Sequence, residues 1–170
     1  LKFSRETVER VTSLIRWHMF FSDPDKITLS AVRRIIANVG KENVWDLINL
    51  RICDRIGTGR PKEQPFLLRK YQSMIEQVLR DPISVGMLAI DGKTLMETTE
   101  EKPGPRIGWM LHTLLEEVLD DPAKNTKEYL EKRAGELIKL SENELKTLGE
   151  GGKERKTEAE EEDIKDIRKK

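Results

Sequence analysis

Residues 103–119 read PGPRIGWMLHTLLEEVL, and this stretch decides the fold class. Pro105 suits the first turn of a helix, because its φ is already fixed near the helical value and its missing N–H would have no partner there. From that point apolar residues recur every three or four positions, the period of a helix with one buried face. The members of this stripe are Ile107, Met110, Leu111, Leu114, Leu115 and Val118. The stretch therefore predicts a long amphipathic helix.

The same period continues over most of the chain. Ser4 suits the N-cap of a helix that runs to about Phe21. Gly40 suits the position just after a helix over 29–39, where glycine is the favoured residue. Further helices are predicted over 42–56, 66–80 and 93–98.

The last predicted helix begins near Asn125, which forms a capping-box-like pair with Glu128, and runs to about Leu148. Beyond it, residues 150–170 hold 15 charged side chains and too few apolar ones to offset the entropy of ordering. No segment reads as a confident strand. We therefore expect an all-α fold, a compact domain of six to eight helices with a charged, disordered C-terminal tail over 149–170.

The predicted third helix carries apolar residues on all sides, which is typical of a helix buried on most of its surface. These residues are Val44, Trp45, Leu47, Ile48, Leu50, Ile52 and Ile56. Cys53 lies in the same helix, so we expect it to be a small core residue. It is the chain's one cysteine, which excludes an intramolecular disulfide and favours a reducing, cytoplasmic compartment.

A net charge of zero hides an asymmetry along the chain. Residues 1–80 carry 15 Lys and Arg against 9 Asp and Glu, a balance of +6, whereas residues 81–149 carry 9 against 14, a balance of −5. A basic half joined to an acidic half suggests one surface that faces a polyanion. Scatter over solvated helix faces explains the counts equally well. No apolar run approaches the roughly 20 residues of a membrane span.

Two residues could belong to a metal site, since His and carboxylate groups both bind divalent ions. His18 lies on the apolar face of the first predicted helix, and Asp54 lies in the third. The alternative is a hydrogen-bonded core histidine at position 18 and an intrahelical pair between Asp54 and Arg51. Two ligands do not complete a site. The Asp23-Pro24-Asp25 segment is explained by a turn between helices.

Two glycine-containing segments could bind phosphate. The loop over 57–62, GTGRPK, offers backbone amides together with Arg60 and Lys62, but lacks the spacing of a nucleotide-binding P-loop. The segment over 104–108, GPRIG, opens a helix whose free N–H groups attract anions, with Arg106 adding a full charge. The alternatives are a solvated basic loop, and a glycine at position 108 that lets another helix approach.

In combination these segments are more specific than any one of them. The chain contains VTSLIRWHMFFSD, AVRRIIANVG, DLINLRICDRIGTGRPK and, most diagnostically, IDGKTLME, KPGPRIGWML and LDDPAKNT, in that order. This pattern resembles the region that follows the catalytic head in bacterial CCA-adding enzymes and poly(A) polymerases. The resemblance covers roughly residues 3–140, and we expect the chain to be part of a longer protein.

The resemblance implies a division of labour. A separate head, with a G-G-x-V-R-D signature and a magnesium-binding carboxylate pair, transfers the nucleotide, and that signature is absent here. The helical region implied for this chain binds the tRNA acceptor stem and elbow, or another RNA 3′ region, and is inactive alone. Its expected contacts go to the RNA backbone. The side chains that we expect to make them are Arg51, Arg55, Arg60, Lys62 and Arg106.

The resemblance also implies that residues 1–80 are the second half of an HD-type domain and that 81–148 form an RNA-binding tail region. His18 and Asp54 then fall at late metal-site positions of an HD phosphohydrolase, where an incomplete, remnant site could hold a divalent metal. We otherwise expect no cofactor in this chain, and magnesium only in the head. Two alternatives stay open: a remnant metal-dependent phosphohydrolase, and a helical domain that docks a protein on its acidic half. The choice between CCA and poly(A) addition depends on the head.

Overall fold

A computed structural model describes residues 2–19, 27–59 and 66–150 of the chain. All regular structure in these ranges is helical and no strand occurs in them, so the predicted all-α fold is confirmed. The α-helices are α1 Arg5–Trp17, α2 Leu29–Val39, α3 Val44–Gly57, α4 Phe66–Val78, α5 Gly92–Thr99, α6 Pro105–Asp120, α7 Lys127–Leu137 and α8 over 142–150. Single 3-10 turns lie at Val85–Met87 and Pro122–Lys124. The charged segment over 151–170 lies outside the described residues.

The chain divides into two compact units, which we call unit 1 (Leu1–Ile83) and unit 2 (Ser84–Lys170). In unit 1 the predicted start of α1 and the predicted end of α2 are both found, each at the residue that the sequence indicated. The Ser4 hydroxyl accepts a hydrogen bond from the Thr7 amide, and α2 ends at Gly40 with φ of 91°. Only glycine adopts that backbone region without steric cost. The predicted extension of α1 from residue 20 to Phe21 lies outside the described residues.

The centre of unit 1 is the contact between α2 and α4, with α1 lying against α2 and α3. Buried apolar side chains of α2 and α4 supply most of its core: Val32, Ile36, Val39, Leu68, Tyr71, Ile75 and Val78. The C-terminal end of α4 is also fixed by polar contacts. Arg33 donates to Asp81 at 2.6 Å, and the Lys41 ammonium donates to the Leu79 carbonyl at 2.7 Å. The α4 helix is therefore held firmly against α2, which fixes the positions of the side chains on its solvent-exposed side.

The prediction that α3 is buried on most sides is wrong. Of the residues in α3, only Val44, Leu47 and Ile48 are buried, and all three lie on one side of the first half of the helix. Trp45 and Ile56 are 40% and 48% exposed, and Cys53 is exposed instead of being a core residue. The apolar pattern all round a helix predicts burial only if neighbours cover every side, and among the described helices α3 packs chiefly on α1.

Unit 2 has a continuous core built from α5, α6, α7 and α8. It buries most of the stripe predicted for α6, with Leu111 partly buried. The core consists of Ile90, Leu95, Ile107, Met110, Leu114, Val118, Leu130, Ala134, Leu137 and Leu145. A stripe at helical spacing thus becomes the centre of a multi-helix core.

The predicted single helix from Asn125 to Leu148 is wrong, because the chain forms two helices there. Thr126, not Asn125, caps α7, and α7 ends at Leu137. Ser141 and Glu144 then form a reciprocal capping box: the Ser141 hydroxyl accepts from the Glu144 amide, and the Glu144 carboxylate accepts from the Ser141 amide at 2.9 Å. This Ser-x-x-Glu spacing is a helix-start signal in the sequence.

A glycine brings α8 close to α6, although not the glycine that the sequence suggested. A Cβ added at Gly149 would lie 2.8 Å from the Cα of Trp109, whereas one added at Gly108 would meet nothing within 4 Å. The packing explanation therefore applies to Gly149, which the sequence assigned to the tail. Because α8 carries the buried Leu145, this close approach helps to complete the core of unit 2.

Candidate nucleic-acid interface

Several basic side chains of unit 1 are paired with nearby carboxylates. Arg5 pairs with Glu9 along α1, Arg10 reaches Asp46 on α3, and the nearly buried Arg33 pairs with Asp81. Each pair keeps its cation near a carboxylate and weakens the field that it projects into solvent. The net charge of a unit is therefore a poor guide to which side chains can bind a polyanion.

Arg51 and Arg55, two of the side chains predicted to bind RNA, lie on the same side of α3 as the buried Val44, Leu47 and Ile48. Arg51 is only 12% exposed and donates to Asp54 at 3.0 Å and to the Met19 sulfur at 3.4 Å. Arg55 is half-buried, and its Nε finds no hydrogen-bond partner among the described residues. The other two predicted contacts in this region, Arg60 and Lys62, lie outside the described residues. The structure brings Arg51 and Arg55 one turn apart.

Arg106, the fifth predicted RNA contact, donates hydrogen bonds to carbonyl groups just past the C-terminal end of α7. Its Nη2 donates to the Ile138 carbonyl at 3.0 Å, just past α7, and its Nε lies 3.4 Å from the Glu101 carboxylate. A cation at a helix C-terminus satisfies carbonyls that lack helical partners and opposes the negative dipole end. Any RNA bound by Arg106 has to compete with these contacts.

The two predicted metal ligands have partners within the protein. The His18 Nδ1 lies within hydrogen-bond distance of the Ile15 carbonyl, and Asp54 accepts from Arg51. Because the Arg51 guanidinium already pairs with the Asp54 carboxylate, a metal cation at Asp54 would be repelled by Arg51 or would have to displace it. His18 and Asp54 therefore do not fit a metal well. The described part of the chain holds no group of three or more His, Cys, Asp or Glu that could bind one. A metal site at His18 and Asp54 stays a prediction.

One surface of unit 1 combines exposed cations with an exposed aromatic ring, and no sequence motif singled it out. It lies on the outer side of α4, and we call it the α4 outer face. Within the helix its exposed residues follow the helical spacing of 3, 4 and 4 positions: Phe66, Arg69, Ser73 and Gln77. The exposed Arg80 follows in the turn after the helix ends at Val78, and we include it in this surface. Positions at this spacing share one side of a helix. The sequence does indicate this surface indirectly, because it lies on the side of α4 opposite the apolar stripe of Leu68, Tyr71, Ile75 and Val78, which is buried.

A second surface of unit 1 is apolar. Val8, Val11, Ile15 and Met19, which we call the α1 stripe, recur at three- or four-residue spacing and are each 47–57% exposed. No residue of α1 is buried. Contiguous exposed apolar surface of this kind usually marks an interaction site.

The fold and these surfaces define a class of protein: an all-helical domain in which a basic, interaction-prone unit is joined to an acidic, self-contained one. Comparison with known proteins gives the family. The model described as tRNA nucleotidyltransferase domain 2 matches residues 1–134. The chain therefore belongs to the tRNA nucleotidyltransferase family, the group of CCA-adding enzymes and poly(A) polymerases that its motifs resemble, and the predicted resemblance is confirmed.

One curated relative illustrates the similarity. The CC-adding tRNA nucleotidyltransferase of Thermus thermophilus is 33% identical over 117 residues, which cover 68% of this chain and 25% of that protein. The chain thus spans about a quarter of the length of this relative. No solved structure matches the chain. Within the described residues no helix is long and apolar enough to cross a membrane.

Proposed function

We propose that this chain is a helical, RNA-binding part of a tRNA nucleotidyltransferase, without the catalytic head and inactive alone. The observation that carries the proposal is the match to a tRNA nucleotidyltransferase domain, which covers all of the basic unit 1. The relative's printed name makes tRNA the natural candidate for its polyanionic partner. The relative is also about four times as long as the matched segment, which leaves room for a separate head.

The proposed binding mode uses charge and shape without reading base sequence, because side chains cannot enter the deep, narrow major groove of an RNA helix. Arg55, Arg60 and Lys62 remain proposed phosphate contacts. Arg51 and Arg106 are weaker candidates, since each already has partners within the protein.

Salt dependence tests this binding mode. The affinity of the 170-residue chain for a tRNA is measured at several salt concentrations by fluorescence anisotropy. Each neutralised phosphate contributes a log–log slope of about −0.7 for single strands, so about five contacts give a slope of about −3.5. A base-shuffled RNA of the same fold should bind with similar affinity, because backbone contacts carry no sequence information.

A matched pair of variants separates binding from folding. Arg55→Gln should make the salt slope shallower, whereas Arg33→Gln, at a buried arginine paired with Asp81, should lower the melting temperature and leave the slope unchanged. Absence of binding at low salt, or an affinity that does not respond to salt, would contradict the proposed function.

A second role is favoured by the α1 stripe: docking of another part of a nucleotidyltransferase, such as the catalytic head. The exposed apolar side chains lose water contact when a partner helix covers them, which is favourable in proportion to the area buried. We expect Ile15→Glu to abolish association with a separately supplied head. Thr12 lies on the same side of α1 as the stripe, so Thr12→Glu should also weaken association, whereas Thr98→Glu, at an exposed position of α5, should not. Equal association of Ile15→Glu and Thr98→Glu would argue against docking at α1.

A further inference from the structure

The geometry points to the α4 outer face as a binding site for an unpaired RNA segment, in which Arg69 and Arg80 bind phosphates and Phe66 stacks on a base. This inference rests on the proposed RNA-binding function and adds to it a location and a kind of RNA. Neither the motifs nor the family resemblance assigns any of these three residues a role.

The two cations of the α4 outer face are available to a ligand. The Arg69 and Arg80 side chains are both exposed, and among the described residues neither side chain forms an ion pair or a hydrogen bond. This distinguishes them from Arg33 and Arg51, whose guanidinium groups contact carboxylates. Glu76, the one exposed carboxylate of α4, lies on the same side, three positions after Ser73 and four before Arg80, so the outer face carries two arginines against one carboxylate. A phosphate binds best where a cation does not have to leave a carboxylate first.

An exposed aromatic ring lies next to Arg69. Phe66 is 69% exposed, the highest value for a large apolar side chain in the described part of the chain. It precedes Arg69 by one helical turn, so the two side chains are neighbours on the same side of α4. An exposed ring next to an unpaired guanidinium is the combination that binds unpaired nucleic acid, because every base has a face that can stack.

The α4 helix is held rigidly. Opposite the outer face, α4 buries Leu68, Tyr71, Ile75 and Val78 against the rest of unit 1. Its C-terminal end is fixed by the Arg33–Asp81 pair and by the Lys41 contact with the Leu79 carbonyl. The positions of the two arginines are therefore set by the core, which lowers the entropy lost on binding.

The spacing favours a strand that runs along the helix. From Arg69 to the end of the helix at Val78 is nine positions, about 14 Å at the helical rise of about 1.5 Å per residue, and Arg80 follows in the turn just beyond. A single strand can follow this line, with phosphates at the two arginines and a base on Phe66 at the N-terminal end. A paired base inside a duplex cannot reach the ring, because its faces are covered by its neighbours.

The test uses the full chain and two labelled RNA hairpins, one blunt and one with an unpaired 3′ extension of a few nucleotides. The Arg69→Gln/Arg80→Gln double variant should show a salt slope shallower by about 1.4, for two lost phosphate contacts. Phe66→Ala should weaken binding of the extended hairpin on the order of 10-fold and leave the blunt one unchanged. Circular dichroism verifies that both variants are folded, as expected for exposed positions.

Two control variants match these changes elsewhere. Lys139→Gln/Lys146→Gln removes two exposed cations from unit 2, and Phe3→Ala removes a ring that is 67% exposed on another part of unit 1. Both should bind as the unchanged protein does. If the unchanged protein binds RNA but the α4 variants behave as the controls do, this inference is overturned while the proposed function stands. A loss in Phe66→Ala that is equal for both hairpins overturns the stacking assignment. No RNA binding by the unchanged protein overturns both proposals.

Discussion

The two units bury similar numbers of apolar side chains but differ in what they leave uncovered. Of the described residues, eleven buried apolar ones lie in unit 1 and twelve in unit 2. Ten large apolar side chains are exposed in the same ranges, and eight of them lie in unit 1; Met87 and Leu148 are the two in unit 2. Unit 2 closes a core around α6, whereas unit 1 leaves the α1 stripe and parts of α3 and α4 in solvent.

Polar contacts follow the same division. In unit 2 the Asn125 side chain accepts from the Ala89 amide and donates to the Met87 carbonyl, and Arg106 serves the end of α7. The most diagnostic segments of the family resemblance, over 90–97, 102–111 and 119–126, therefore contain residues with structural tasks. The comparison teaches that unit 2 supports its own fold, while unit 1 carries the surfaces available to partners.

The largest expected effect comes from truncating one apolar side chain in each unit. Leu114→Ala, at a fully buried position of α6, should lower the free energy of unfolding by about 2–5 kcal/mol because it leaves a cavity. Ile15→Ala, at a position 57% exposed on α1, should change it by less than about 0.5 kcal/mol. Urea denaturation measures both. A loss of similar size at the two positions would break the contrast between the units.

The next effect tests how α8 closes unit 2. Gly149→Ala should destabilise the chain by about 1–3 kcal/mol, because the added Cβ would lie 2.8–2.9 Å from Trp109 atoms, two of them backbone. Gly135→Ala is the matched control: an added Cβ meets nothing within 4 Å in α7, and alanine should stabilise that helix by up to about 1 kcal/mol. Thermal melting reports both signs. Stabilisation by Gly149→Ala would show that α8 does not pack closely on α6.

A smaller pair of effects concerns left-handed residues at helix ends. Unit 1 ends α2 with Gly40, at φ of 91°, whereas unit 2 ends α5 with Glu100, at φ of 53°. Gly40→Ala should therefore destabilise, and Glu100→Gly should stabilise, each by about 1 kcal/mol. Differential scanning calorimetry measures the two shifts. Shifts of the same sign would contradict the backbone geometry at one of these positions.

The smallest effects are in the pH dependence, where the units should respond at opposite ends of the scale. The Thr94 amide holds the pKa of Asp91 below its ordinary value, and the Ser141 side chain does the same for the pKa of Glu144. A lowered folded-state pKa stabilises above the ordinary pKa and loses that contribution as pH falls through the folded value. Acid should therefore weaken the helix starts of unit 2, and Asp91→Asn should reduce the acid shift in melting temperature.

In unit 1, burial raises the pKa of Tyr71. A raised folded-state pKa gives a contribution that is complete below the ordinary value of 10.0 and decreases as pH rises above it. Tyr71→Phe should therefore retain more of its melting temperature above about pH 10 than the unchanged chain does. An identical alkaline decrease in both proteins would show that Tyr71 does not titrate with unfolding.

Helix positions were predictable where a local signal and an apolar stripe coincide, as at Ser4, Gly40 and Pro105. The break between α7 and α8 was missed because the longer periodic pattern was preferred to the Ser141–Glu144 box within it. The candidate site was less predictable. Arg51 and Arg106 look alike as charges in a sequence, but contacts with Asp54 and with the Ile138 carbonyl separate them from the exposed Arg69.

The sequence by itself determined the helical class, most helix bounds and the family, because these follow from local periodicity, capping residues and motif order. Only the tertiary structure decided which cations are neutralised, which sides of α1 and α3 stay uncovered and which glycine lets two helices meet. Those outcomes depend on residues roughly 30 to 40 positions apart in the chain, as in the pairs Arg10–Asp46, Arg106–Ile138 and Trp109–Gly149. A local pattern specifies that a residue is polar or small, and the partner supplied by folding decides what it does.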